Sequence, residues 1–415
     1  MDEAALRGAL GPAACAALDA VAAAAGGARV ALVGGAVRDL LRGEPLKDLD
    51  VVVEGDAVAV GRRLVAAAGG ALRVHRAFGT ATWATPGLGV VDLATARAER
   101  YPAPAALPEV RAASLEDDCF RRDFTVNAVA LVWSPGPPAM LDPWGGRADL
   151  AARRLRVLHP ASFVDDPTRA WRGGRFAARF GAVWAEETAA AWAAAVAVGA
   201  PAALGRERLG AEVERVFTEP APAAAVRALD TWGVLAGFGW GGRGPDWARL
   251  LTDTEESAHH AADPVECGWL ALACAWPAAE REAASRLVRA GGAALERWRT
   301  GPPRLAAAAA ALDTGHWDEI GAALAGLAPA ERRVLARQGW GPAFAWWRST
   351  GAAVPGELRG ADFAALGLGG RAVGQALEAA RRARWAGATR EAALAHGRAV
   401  AAGGVERGGE PPAPK

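Results

Sequence analysis

The chain has 415 residues, 52% of them hydrophobic, and 47 basic against 46 acidic side chains leave a net charge of +1. That length allows two or three domains with sizeable cores. The apolar content excludes global disorder, and the near-zero charge excludes a chain-wide basic field for nucleic acid. Much of the apolar content is alanine, which favours a largely helical chain. Lysine occurs only at Lys47 and Lys415. Any anion site is therefore a local arginine cluster, and arginine suits bidentate phosphate contacts.

Cys15, Cys119, Cys267 and Cys274 form no C-x-x-C pair and have no histidine at zinc spacing. They read as free thiols in a reducing cytoplasm. The first ten residues lack the basic-then-apolar order of a secretory leader. No apolar run approaches the roughly 18 residues of a membrane span. A cytoplasmic protein without a membrane partner is expected.

In chain order, residues 1–28 read as one alanine-rich amphipathic helix ending at Gly26 and Gly27. Residues 30–33 read as a short buried strand, Gly34 and Gly35 follow, and a helical pattern from Ala36 to Leu41 begins at once. Glycine lets a phosphate approach the backbone, and a helix start offers unpaired N–H groups. Asp48 and Asp50 then alternate with Leu49 and Val51. On a strand, residues i and i+2 share a face, so two carboxylates project together beside the glycine turn. Oxygen ligands so placed suit Mg²⁺ carried in with a nucleoside triphosphate. Taken singly, the glycine pair also reads as a tight turn and Asp-x-Asp as a solvated strand end.

A helix over 57–68 and strands at 72–75, 80–83 and 89–93 follow, with F-G-T at 78–80 between the first two strands. Asp92 reads either as a third carboxylate for the metal or as a cap on the following turn. Residues 94–118 read as a polar, proline-punctuated loop without a pattern of its own. Arg121, Arg122 and Asp123 precede an apolar segment, and residues 142–146 form a turn. Pro167 sits where a first helical turn would be, capped by Asp165 or Asp166. Arg169, Arg172, Arg175 and Arg179 recur at three- and four-residue spacing as one helical stripe. That stripe reads as an anion site or as a solvated face paired with Asp165, Asp166 and Glu187.

From about 185 to 398 the pattern is helical. His259 and His260 point to different faces and make no joint metal site. The tryptophans at 269, 276, 298, 340, 346 and 347 read as packing residues. Residues 358–400 place glycine-rich turns before a helix bearing Arg381, Arg382 and Arg384, a pattern able to dock a phosphate backbone. Residues 403–415 read as a disordered end.

Three motifs carry a resemblance. G-G-A-V-R-D with L-L-R-G and K-D-L-D-V-V-V, then R-R-D-F-T-V-N-A-V-A, then S-F-V-D-D-P-T-R-A-W-R, resemble those of the class II tRNA nucleotidyltransferases and the related bacterial poly(A) polymerases. The resemblance implies an α+β chain: a nucleotidyltransferase head with a small mixed β-sheet at 1–150, then an all-helical neck at 151–240, body at 241–355 and tail at 356–402. It implies transfer of nucleotides from CTP and ATP to the tRNA 3′ end with release of pyrophosphate. Asp48 and Asp50 would bind two Mg²⁺ ions, with Asp92 as a third acid. Gly34, Gly35, Arg38 and Arg122 would bind nucleotide, and Asp123 and Asn127 would brace the site. Asp166 and Arg169 would read the Watson–Crick edge of C or A, with Arg172 and Arg175 lining the pocket. Arg381, Arg382 and Arg384 would grip the tRNA elbow.

Asp165 departs from the glutamate that many relatives carry there, which bears on the balance between C and A. The 94–118 loop is not drastically shortened, which favours addition of the terminal A. An A-adding or CC-adding specialist, a poly(A) polymerase and a catalytically silent RNA-binding protein are the alternatives. Intact Asp48 and Asp50 argue against the last. No DNA partner is expected.

Overall fold

The computed structural model describes residues 3–46, 48–75, 79–85, 87, 89–286, 292–365 and 367–403. Phe78 of the F-G-T segment and the expected disordered end from 404 onward lie outside the described residues.

The N-terminus departs from the expectation of one helix. It forms α1 (Glu3–Leu10) and α2 (Pro12–Ala25), bent by 112°. Gly11 takes φ 79° and Pro12, lacking an N–H, starts a new helix better than it continues an old one. No single described helix is long and apolar enough to cross a membrane.

The head continues as β1 (Val30–Val33), α3 (Gly35–Leu41), β2 (Leu49–Val53), α4 (Ala57–Ala68), β3 (Ala71–His75), β4 (Thr80–Thr85) and β5 (Gly89–Thr95). Next come β6 (Arg97–Arg100), β7 (Glu109–Ala112), α5 (Leu115–Phe120), β8 (Ala130–Ser134) and β9 (Ala139–Leu141). Seven strands make one sheet in the order β3-β4-β5-β2-β1-β8-β9. Only β2 and β5 pair in parallel within it; the other pairs are antiparallel. The mixed sheet matches the sequence expectation.

Both faces of the centre are covered, and the side-chain alternation decides which residue meets which core. Val30 and Leu32 of β1, with Leu49, Val51 and Val53 of β2, pack on α1, α2 and α4. Ala31, Val33 and Val52 face the opposite core, built with Leu115 and Cys119 of α5. Asp50 shares this second face with Val52 because strand side chains alternate.

The polar stretch at 94–118 is not a patternless loop. β6 and β7 pair as an antiparallel hairpin, and α5 follows it. Ser114 and Asp117 close a capping box at the start of α5. The strands are four residues each and none of their residues is buried, which is why the pattern hid them; one register pair, Arg100 opposite Glu109, joins a basic to an acidic residue.

After the head come α6 (Gly146–Ala151), β10 (Arg154–Leu155), α7 (Ser162–Asp165), α8 (Thr168–Phe180), β11 (Val183–Trp184) and α9 (Glu186–Ala197). The described chain divides into two compact units, residues 1–208 with 228–241 and residues 209–227 with 242–415. The first unit includes 228–241 because Trp232 stacks on Trp184 at 4.6 Å and Phe238 on Trp192 at 5.9 Å. In the second unit Trp269, Trp276, Trp298 and Trp347 are buried, as expected of packing residues, while Trp340 and Trp346 are half-buried. There, helices Arg371–Trp385 and Arg390–Ala401 pack together. Gly397 permits the crossing, since a Cβ on it would lie 2.4 Å from the Ala376 carbonyl oxygen.

Candidate active site

β2 and β5 run side by side with Asp50 in register with Asp92. Asp92 therefore lies inside a strand and caps no turn. Thr82 of β4, in register with Asp92, donates its hydroxyl to Asp92 Oδ1 at 2.6 Å. Asp48 sits just before β2, one residue short of the strand that the sequence placed it on. It remains close enough for its charge to act on Asp50.

Asp50 and Asp92 line a cavity of about 380 Å³ whose walls also carry His75, Arg97, Arg121 and Arg122. Solvent reaches the Asp50 carboxylate from the cavity, but the walls remove much of its hydration. That desolvation raises its pKa; Arg122 opposes the rise, and Asp92 and Asp48 add to it. Asp50 and Asp92 stand side by side, and Asp50 resists ionisation; a divalent cation relieves such a pair. The two carboxylates fit such an ion as a pair, and among the described residues no group of three acids, histidines or cysteines is placed to hold one.

The glycine turn stands at the end of β1. Gly34 has φ 67°, in the left-handed region, and a Cβ there would lie 2.6 Å from Arg122 Nη1. Gly34 is thus required by both backbone and space: any side chain would push Arg122 away. Arg122 Nη2 donates to Asp118 Oδ2 at 2.8 Å, and Arg121 donates to Asp118 Oδ1 and Glu99 Oε1 at 2.7 and 3.1 Å. Asp118 is fully buried. Burial would raise its pKa, but Arg122 and Arg121 prevail and hold it below the usual carboxylate range.

Behind the turn runs a second buried network. Arg38 Nη1 donates to Asn127 Oδ1 at 2.9 Å, Asn127 Nδ2 donates to Asp123 Oδ1 at 2.8 Å, and Arg172 Nε donates to Asp123 Oδ2 at 2.7 Å. Arg38 also lies 5.0 Å over the Phe176 ring. Burial pushes the Asp123 pKa up. The Arg172 charge and hydrogen bonds from Asn127, Arg172 and the Phe124 N–H overcome it and hold the group at about 2. The 125–127 turn that presents Asn127 is fixed by Gly146, where a Cβ would collide with the Thr125 carbonyl oxygen at 2.0 Å.

Asp166, and not Asp165, caps α8: its Oδ1 accepts from the Thr168 N–H at 3.0 Å and the Thr168 hydroxyl at 2.6 Å. The same oxygen accepts from Arg208 Nη2 at 2.7 Å. Arg169 is buried, and Nη1 donates to Ser162 Oγ at 2.7 Å. Its Nη2 donates to the Arg121 carbonyl at 2.7 Å and, at 3.4 Å, to the Tyr101 hydroxyl. Tyr101 in turn donates to Glu99 at 2.8 Å. The four arginines lie on the one helix α8, with different burial and partners. Arg169 turns into the protein, Arg172 reaches Asp123, Arg175 is half-buried and Arg179 is exposed.

The sequence missed Glu99, Tyr101, Asp118 and Arg208. Tyr101 is the chain's single tyrosine, and that was the one available signal. In the second unit, Arg381 donates to the Pro355 and Leu358 carbonyls at 3.2 and 3.1 Å, Arg382 pairs with Glu378 at 3.1 Å, and Arg384 with Glu357 at 3.0 Å. All three help to hold their own unit together.

A family model described as the poly(A) polymerase head domain matches residues 30–156, the stretch from β1 to just past β10. The head of this chain is thus similar to that of the poly(A) polymerase family. Nucleotidyltransferases of this family use a divalent metal. The chain is 41% identical over 213 residues to an A-adding tRNA nucleotidyltransferase of Halalkalibacterium halodurans, covering 50% of each protein. It is 42% identical over 205 residues to a CC-adding tRNA nucleotidyltransferase of Deinococcus radiodurans, covering 49% of this chain and 54% of that protein. The chain thus spans about half the length of the curated relatives it matches. The fold likeness is longer. A Thermotoga maritima CCA-adding enzyme complexed with tRNA superposes with a TM-score of 0.73 at 24% identity, over 90% of this chain and 91% of that one.

Proposed function

We propose that the protein is a tRNA nucleotidyltransferase that adds CCA, or part of it, to the tRNA 3′ end from CTP and ATP with release of pyrophosphate, without a nucleic-acid template, in the cytoplasm. The observation that carries this reading is the Asp50–Asp92 register pair lining one cavity together with Arg122. Carboxylates for a metal and an arginine for phosphate thereby share that cavity. Asp48 and Asp50 would hold Mg²⁺, with Asp92 beside them. Bound there, Mg²⁺ supplies Lewis-acid activation of the 3′-hydroxyl and charge neutralisation at the phosphates.

The protein's own groups do the positioning. Gly34 and Gly35 leave room for phosphate oxygens at the turn, and Arg122 presents its guanidinium there, steadied by Asp118. Arg38 and Arg172 are aligned through Asn127 and Asp123. Asp166 and Arg169 would select the base. Arg169 pairs with no carboxylate among the described residues, so its hydrogen bonds to neutral oxygens can be exchanged for those of an incoming base. Arg169→Ala is expected to blur the choice between C and A by about tenfold, the worth of one hydrogen bond to a charged group. Unchanged selectivity in single-nucleotide reactions would remove it from that role. The tail arginines would contribute to tRNA binding.

The relatives named A-adding and CC-adding match almost equally well, so products must separate the subtypes. Purified protein with Mg²⁺ would be given three tRNA transcripts, ending before CCA, after C and after CC, with CTP, ATP or both. Completion of CCA from the shortest transcript is the expected result. Addition of A only to the CC-ended transcript would make it an A-adding specialist, and a halt after the second C a CC-adding one. A long A tract would make it a poly(A) polymerase. No product from any transcript would overturn the reading.

A further inference from the structure

A second basic cleft lies in the first unit, at the far end of α3 from the glycine turn. Its volume is about 460 Å³, and its lining includes Arg42, Arg153, Arg179, Phe180 and Gly181 but no carboxylate. Arg42 follows the last residue of α3 and Gly181 is the C-cap of α8. Two helix C-termini, both the negative end of a peptide dipole, therefore meet there. Three arginine side chains line that corner.

The arginines are held in distinct ways. Arg42 lies 4.6 Å over the Phe180 ring. Its acidic neighbour Glu44 is 3.5 Å away and more than half exposed, a pairing weak enough to yield to a stronger anion. Arg153 has φ 52°, uncommon for a residue with a side chain. It is kept there by the Arg153 N–H donating to Leu150 at 3.1 Å and by its carbonyl accepting from the Val183 N–H at 2.9 Å. That backbone turns its Nη1 to within 3.7 Å of where a Cβ on Gly181 would stand.

We propose that this cleft binds a backbone phosphate of the RNA substrate, upstream of the reacting 3′ end. The inference rests on the reading of the protein as an RNA 3′-end nucleotidyltransferase. Seven residues of helix separate Gly35 from Arg42, about 10 Å at about 1.5 Å per residue. A triphosphate seated at the glycine turn would not extend into the cleft, whereas a polynucleotide carries further phosphates beyond the one that reacts. The half-buried Phe180 ring gives the strand an apolar wall beside the charges.

The test is equilibrium binding of the shortest tRNA transcript, without divalent metal so that no turnover intervenes, across a series of salt concentrations. Wild type would be compared with the double variant Arg42→Gln/Arg153→Asn. Asparagine tolerates left-handed backbone, so the second change removes charge without adding strain. A thermal melt checks that the variant is folded. Expected are a Kd raised about three- to tenfold and a slope of log K against log salt shallower by about 1. In turnover assays, KM for CTP should be unchanged. Equal Kd and slope would overturn the proposal and leave the arginines as helix-end residues. A rise in KM for CTP with RNA affinity unchanged would also overturn it, by giving the cleft to the nucleotide. If the wild type binds tRNA but adds no nucleotide, the functional reading fails while the binding comparison still decides the cleft.

Discussion

Asp50→Asn is expected to lower nucleotide incorporation by at least about 10³-fold, the loss of several kcal/mol of charge stabilisation, and at the same time to raise the melting temperature of the metal-free protein. The second effect follows from the sign of the pKa shift. Desolvation, with Asp92 and Asp48 nearby, raises the Asp50 pKa in the folded state. The folded protein therefore holds that proton to higher pH than the unfolded chain does. Stability contributed by the group falls as pH rises through the raised value, so at neutral pH the ionised carboxylate strains the apo-protein. Asparagine removes that charge and the metal ligand together. Mg²⁺ should raise the melting temperature of wild type near neutral pH and do so much less in the variant. An apo-variant melting below wild type, or turnover near wild type, would refute the placement of the metal at this edge.

Asp123 is expected to behave with the opposite sign. Its folded-state pKa is about 2, below the ordinary aspartate value of about 3.9. Its stabilisation is fully present above the unfolded value and is lost as pH falls from about 4 toward about 2. The amount is on the order of 2 kcal/mol. Asp123→Ala should destabilise the protein by about 3 kcal/mol, because it leaves the Asn127 amide and the Arg172 guanidinium without their shared acceptor. Urea melts of wild type and Asp123→Ala at pH 6, 5, 4 and 3 check this. The wild-type advantage should shrink toward pH 3, and parallel curves would refute the assigned charge pairing. Because Arg38 and Arg172 border the proposed nucleotide site, the variant should also raise KM for CTP.

The acidic edge of the sheet was legible in the sequence because its signal is local. A strand, two glycines, a helix start and two alternating carboxylates lie within about twenty residues, and strand periodicity alone places Asp50 away from the apolar face of its neighbours. The helices after residue 185 were legible for the same reason. The hairpin at 97–112 was not, since its strands are short and bury no face. The break at Gly11–Pro12 was present in the residues, but alanine's helical preference on both sides concealed it.

By itself, the sequence determined the short strands, the acidic strand end, the phosphate-compatible glycine turn and the helical remainder, all set by spacing between near neighbours in the chain; the mixed sheet was what the family resemblance implied. Only the tertiary structure decided which acid stands beside Asp50. Asp92 joins Asp50 through parallel pairing of strands about forty residues apart. It also decided which arginines can serve an anion. Asp118 steadies Arg122, Asp123 aligns Arg172, and Arg169 turns inward to Ser162 and the Arg121 carbonyl. Arg42, Arg153 and Arg179 meet in one cleft although more than a hundred residues separate the first from the others. The reason is physical: the worth of a charged side chain depends on the partners and solvent around it, and those are fixed by folding and not by spacing along the chain.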